Sequence, residues 1–188
     1  MVYSTSTDGV HWSAVTRVPI DATSSTVDHF IPGIGIDPAT SGATAHVAIH
    51  YYYYPKTSCT ESTCQLYVGY ISSANGGSTW NTPITLAGPM QLDWLPNSQN
   101  GLMVGDYIAT AFTGGVPYGV FAVAAAKSGS TFNEATYTAQ GLTAPSKAGL
   151  QLSSAGDKPL HHLSDKIEKE LPERGIVPPS RRAASSSK

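Results

Sequence analysis

The stretch that most constrains the fold is Ser73–Trp80, which reads Ser-Ala-Asn-Gly-Gly-Ser-Thr-Trp. It separates two apolar-rich runs, Leu66–Ile71 and Pro83–Ala87. Asn75-Gly76-Gly77 signals a tight turn, because Asn and Gly accept the positive φ that a hairpin demands. Ser73 and Asn75 bring short polar side chains able to bond nearby backbone amides, so the turn is fastened by its own residues. Trp80 adds a large apolar plate directly after it, an anchor for the neighbouring strand pair. A second, shorter copy stands near the N-terminus, Ser6-Thr-Asp8-Gly9-Val-His-Trp12.

The surrounding composition agrees with short strands joined by turns. Residues 1–145 are dominated by Tyr, Val, Thr, Ile, Ser and Gly, with few charges, and are numerous enough to bury a sizeable core. Within residues 1–150, four basic residues (Arg17, Lys56, Lys127, Lys147) face eight acidic ones. This mild acidity, without a basic stripe, argues against nucleic acid and against an anionic membrane surface as partners. No apolar run approaches the length that spans a bilayer.

Taken in order, the expected strands are Val2–Ser4, Ala14–Pro19, Val27–Asp37, Ala45–Tyr54, Gln65–Ser72, Pro83–Ala87, Leu102–Phe112 and Pro117–Lys127. The glycines of Val27–Asp37 predict a place where two backbones approach closely. Gly88-Pro89 is expected to end the strand before it, and strand signals fade after Phe132–Tyr137. Residues 1–140 therefore form the folded part. Residues 141–188 collect Lys, Ser, Pro and Glu, the composition of a disordered tail. Inside it, Leu160, Leu163, Ile167 and Leu171 predict a short amphipathic helix over 159–171.

Cys59 and Cys64 are the only cysteines, in a short loop between strand-like runs, and face each other closely enough for a disulfide. Two thiols without further cysteines or histidines nearby do not complete a tetrahedral metal site. A disulfide implies an oxidising compartment, hence a secreted or extracytoplasmic protein. Met1 is followed at once by strand-like sequence rather than a signal peptide, so a fragment of a longer secreted protein is the expectation.

Both turn stretches resemble the Asp-box (BNR repeat) of sialidase-like β-propellers, Ser-x-Asp-x-Gly-x-Thr-Trp. Ser73, Gly77, Thr79 and Trp80 match position for position, with Asn75 in place of the aspartate. The first copy keeps Ser6, Asp8 and Trp12 but is one residue shorter, with Gly9 directly after Asp8. The resemblance implies an all-β fold of antiparallel four-stranded blades, with the box at the turn between a blade's third and fourth strands. Its role there is structural. Residues 1–140 would supply a trailing half-blade, one whole blade and an opening half-blade. Such a partial β-propeller needs missing blades or self-association to close a ring. The function implied is that of a segment of a secreted, sialidase-like protein, glycan-related and non-catalytic on its own, with a glycan or protein ligand. The alternative is an exo-glycosidase whose site is completed by missing blades or by oligomerisation.

Sialidase catalysis uses an arginine triad, a tyrosine–glutamate pair and an aspartate, yet Arg17 is the single arginine of residues 1–140. Lys cannot supply the bidentate fork, so no catalytic residue is carried over from the family. Two clusters at expected innermost strands remain. Asp28, Asp106 and Tyr107 are the catalytic candidates, with His29 and Tyr107 as candidate binding residues. The plainer reading gives both aspartates backbone amides to bond and leaves His29 and Tyr107 to packing. Tyr51–Tyr54 could stack sugars, but strand alternation puts two rings on each face, which favours packing. His46 and His50 share a strand face, lack a third metal ligand and are expected to be exposed. No phosphate-cradling loop or zinc-protease spacing occurs, so no cofactor and no metal are expected.

Overall fold

The structure is a computed structural model that describes residues 1–56, 58–140 and 153–154. It is all-β, with every pairing antiparallel and no α-helix among the described residues. A first strand pair joins β1 (Val2–Tyr3) to β2 (Thr16–Arg17). A four-stranded sheet follows, with β3 (Asp28–Ile36), β4 (Val47–Tyr54), β5 (Gln65–Ser73) and β6 (Ile84–Gln91) side by side in chain order. A small hairpin of β7 (Asn97–Ser98) and β8 (Gly101–Leu102) comes next. The second four-stranded sheet runs β9 (Ala109–Thr113), β10 (Val116–Ser128), β11 (Thr131–Gln140) and β12 (Ser153–Ser154), again in chain order.

The inner strand β4 of the first sheet is buried on both faces. Ala48, His50 and Tyr52 of β4 face the second sheet and pack with Ile108, Phe121 and Ala124. Their neighbours Ile49 and Tyr51 point the other way, into a cluster with Val18 and Ile71 beneath the N-terminal strand pair. This two-sided burial is what an uninterrupted apolar run such as Ala45–Tyr54 requires. The tyrosine run divides as alternation dictates, with Tyr52 and Tyr54 on one side and Tyr51 and Tyr53 on the other. The two sheets come closest at β3 and β9. A Cβ on Gly33 would overlap the carbonyl of Ile108, and one on Gly35 would stand 2.8 Å from the Thr110 carbonyl oxygen. The close approach foreseen from these glycines is present.

Both turn copies are built alike. Ser73 Oγ accepts the backbone N–H of Asn75 and of Gly77, at 3.3 and 2.9 Å, while Asn75 Oδ1 accepts Thr79 N–H at 2.8 Å. In the shorter copy, Ser6 Oγ accepts from Asp8 and Gly9, at 3.3 and 2.8 Å. Asp8 Oδ1 accepts from Val10 and His11, at 2.9 and 2.8 Å. Gly9, Gly76 and Gly77 take φ of +74°, +67° and +90°, as the tight turns demand. The tryptophans differ. Trp80 packs edge-on against Tyr3, ring centroids 5.5 Å apart, and so ties the N-terminal pair to the first sheet. Trp12 is 63% exposed and lies near the exposed Val10 and Val15 in sequence.

Several expectations are corrected. The strand expected over Leu102–Phe112 breaks in two, because Gly105 at φ +138° leaves the extended path and only Ala109–Thr113 pairs with β10. Asp106 and Tyr107 thus sit in a loop. Gly88-Pro89 does not end β6, which absorbs both residues through register shifts against β5 and continues to Gln91. The last strands form a four-stranded sheet rather than half of one, and β12 pairs with β11 from beyond residue 140. The helix expected over 159–171 lies outside the described residues. His50 is fully buried rather than exposed, because Gly119 leaves room for its ring against β10.

Cys59 and Cys64 form a disulfide in the β4–β5 loop, with Cα atoms 5.0 Å apart. Replacing both with serine is expected to cost about 2 kcal/mol by the chain-entropy estimate for so short a loop. Urea melts of the variant, beside wild type with and without reductant, check this. No difference on reduction or replacement would mean that the bridge adds nothing.

Candidate functional site

Two clefts flank the start of β3, one on each side of its sheet, because His29 and Phe30 alternate. The first, about 210 Å³, is walled by Phe30, Ile31 and Tyr54, closed by buried Leu66 and Leu95, and reaches Asp106. β3 and β4 change register between Phe30 and Gly33, and within that irregularity Ile31 takes φ +47°. This left-handed conformation costs a β-branched residue on the order of 1–3 kcal/mol, strain of the kind concentrated at ligand sites. Asp106 is exposed and forms no ion pair among the described residues. Tyr107, its neighbour, is 86% exposed and offers most of its ring to solvent.

The second cleft, also about 210 Å³, lies on the N-terminal side and is lined by Asp21, His29, Tyr51, Tyr53, Ile84 and Thr85 among others. The connector after β2 brings Asp21 into it. Arg17 Nη1 donates to the Asp21 backbone carbonyl at 2.7 Å, and Nη2 donates to Asp21 Oδ1 and, at 3.3 Å, to the Ala22 carbonyl. His29 Nε2 stands 4.0 Å from Asp21 Oδ2, beyond hydrogen-bond reach. The His29 ring meets Tyr51 edge-on at 5.5 Å and stacks near Tyr53 at 6.3 Å, and Tyr53 stacks in turn on Tyr67 at 5.3 Å. The Tyr53 hydroxyl and Thr85 Oγ1 are 2.6 Å apart.

Electrostatics sorts these groups. Burial opposes ionisation of Asp21, but a hydrogen bond from Ser25 and the charges of His29 and Arg17 outweigh it and hold the carboxyl below its ordinary value. Burial pushes the His29 imidazole down, against the upward pull of Asp21. Burial also raises the Tyr51 hydroxyl, so it stays protonated. At neutral pH this leaves an ionised Asp21 beside the Arg17 guanidinium, a neutral His29 imidazole and a protonated Tyr51 hydroxyl.

No family model, curated protein or solved structure matches the chain. Function therefore has to be argued from the clefts themselves.

The residues singled out in the sequence are divided by the fold. His29 enters the second cleft and Asp106 the first, whereas Tyr107 is exposed and lines neither. Asp28 opens β3 opposite Tyr54 and is exposed, with no side-chain hydrogen bond among the described residues. Asp21 and Arg17 are not singled out by the sequence, and Tyr53, read there as packing, lines this cleft. The available signal is an arginine four residues before an aspartate across Pro19, at the end of the expected strand Ala14–Pro19. Arg17, the single arginine among the described residues, is committed to Asp21 and Ala22, so it is not poised to clamp a substrate carboxylate. Among the described residues no group of three or more His, Cys, Asp or Glu is arranged to hold a metal ion.

Proposed function

We propose that the chain is a segment of a secreted, sialidase-like Asp-box β-propeller that binds glycan and does not turn it over on its own. The observation that carries this reading is the repeated construction of the chain. Two four-stranded meanders meet through their first strands at Gly33 and Gly35, and two turns share one Ser–Asp/Asn hydrogen-bond scheme. In a propeller, β3 and β9 would be innermost strands, and β1–β2 the outer half of a preceding blade. Exposed Ile34 and Ile36 on β3 fit a face that a further blade would cover. The Cys59–Cys64 bridge fits an oxidising compartment, and no helix among the described residues is long and apolar enough to cross a membrane.

Glycan contact is assigned to Asp106 at the edge of the first cleft and to its chain neighbour Tyr107, whose solvent-facing ring lies outside the cleft lining, a carboxylate acceptor and an apolar ring of the kinds that sugars meet. The Asp106–Tyr107 pair also favours the second reading, a working glycosidase completed by further blades, since an exposed carboxylate could act as acid or base. A panel of fluorogenic sialosides and other glycosides should stay silent. On an oligosaccharide array, binding should fall about tenfold in Asp106→Asn or Tyr107→Ala. Turnover abolished by Asp106→Asn would move the protein to the enzyme reading, and array binding unchanged in both variants would remove the assignment to this cleft.

A further inference from the structure

The second cleft has no part in the reading above. Its Asp21 Oδ2 and His29 Nε2, 4.0 Å apart, are too distant to bond each other and close enough for one oxygen, about 2.8 Å from each, to bond both. A hydroxyl suits that position, because Asp21 accepts a hydrogen bond while a neutral imidazole donates or accepts according to tautomer. Half-buried Tyr53 and Ile84 give the apolar C–H face of a ring something to lie against, while Tyr51 is itself buried. Arg17 spends its donors on Asp21 and Ala22, so the carboxylate is neutralised from behind and no free cation faces the cleft from this pair. At about 210 Å³ the space falls below the roughly 300–1,000 Å³ of drug-sized pockets, which limits the occupant to a single ring.

We propose that this cleft is a binding site for one uncharged, hydroxyl-bearing sugar ring, held by a hydroxyl bridging Asp21 and His29 and lying against Tyr53 and Ile84. A sugar carrying a carboxylate is excluded, because Asp21 repels it and the nearest guanidinium is already taken. The site is separate from the Asp106 cleft on the other side of the sheet and does not rest on the function assigned there.

The test is binding of methyl α-glucoside, methyl α-mannoside, methyl β-galactoside and N-acetylneuraminic acid, followed by saturation-transfer NMR and titration. At least one neutral glycoside should bind, with N-acetylneuraminic acid at least about tenfold weaker. His29→Phe keeps the ring and removes Nε2, and should weaken the neutral ligand about tenfold while the thermal melt stays close to wild type. Asp21→Asn should do the same; if it loosens the Arg17 connector and unfolds, His29→Phe decides alone. Asp93→Asn, at an exposed carboxylate that lines neither cleft, should leave this binding unchanged. The proposal is overturned if no neutral glycoside binds, if N-acetylneuraminic acid binds equally well, if His29→Phe binds like wild type, or if Asp93→Asn weakens binding as much.

Discussion

Acidification from pH 7 to pH 4 is expected to remove on the order of 3 kcal/mol of stability through one imidazole, that of His50. Its ring is fully buried between the two sheets, against Tyr70, Gly119 and Phe121. Thr110 Oγ1 donates its proton to the Gly33 carbonyl at 2.7 Å. The same oxygen lies 2.7 Å from His50 Nδ1, so it accepts there and Nδ1 carries the hydrogen. Nε2 is then the bare nitrogen, and it is buried without a hydrogen-bond partner. A second proton would place a charge where nothing receives it, and burial accordingly lowers the imidazole from 6.5 to about 4.

The sign follows from proton counting. Between those two values the unfolded chain binds a proton that the folded one refuses, so stability rises with pH across this window. It is fully present above about pH 6.5 and is lost as pH falls towards 4. Urea melts at several pH values should show this slope in wild type and a flatter one in His50→Phe, whatever the variant's own stability. Parallel slopes through the window would remove His50 as the cause.

Tyr52→Phe is expected to cost about 1–3 kcal/mol, a large effect for the loss of one oxygen. β9 pairs with β10 only from Val116 to Val120, so Ala122 has no strand partner on that edge. The Tyr52 hydroxyl takes the strand's place, accepting Ala122 N–H at 3.0 Å and donating to the Ala122 carbonyl at 2.8 Å. Removing it strands two backbone groups beside a ring that is itself fully buried. Tyr52→Ala, which also opens a cavity between the sheets, should cost about 3–5 kcal/mol or more. Tyr53→Phe is the control, since its partner Thr85 is exposed and water can replace the lost bond. Equal costs for the two phenylalanine variants in chemical denaturation would show that the Ala122 contact adds nothing.

The parts of the fold legible in sequence are those fixed by local chemistry. Ser73, Asn75 and the two following glycines dictate a turn by themselves, and the disulfide needs only two cysteines on one loop. Alternation in Tyr51–Tyr54 gives the division of rings without reference to what lies opposite. What was not legible depends on distant partners. The loop position of Asp106 follows from one glycine conformation and from burial of Val104 and Ile108 on either side. His50 reads as an ordinary strand histidine until Gly119, far along the chain, is seen to vacate the space it fills. Asp21 enters a cleft because Arg17 pulls the connector inward, and no local period announces that. The candidate site is therefore the least legible part, assembled from side chains whose meeting is decided by tertiary packing.

The meander order of the sheets bears on how the protein is made. Within each four-stranded sheet, strands pair only with neighbours in the chain, so every hairpin can close as soon as it leaves the ribosome. The face of β4 bearing His50 and Tyr52 is different, because its cover, β9 and β10, is synthesised only after β5, β6 and the β7–β8 hairpin. During that interval a nascent first sheet shows Ala48, Tyr52, Leu66, Val68 and Met90 to its surroundings. A pause in translation over residues 92–128 is therefore expected to prolong exposure of this apolar face.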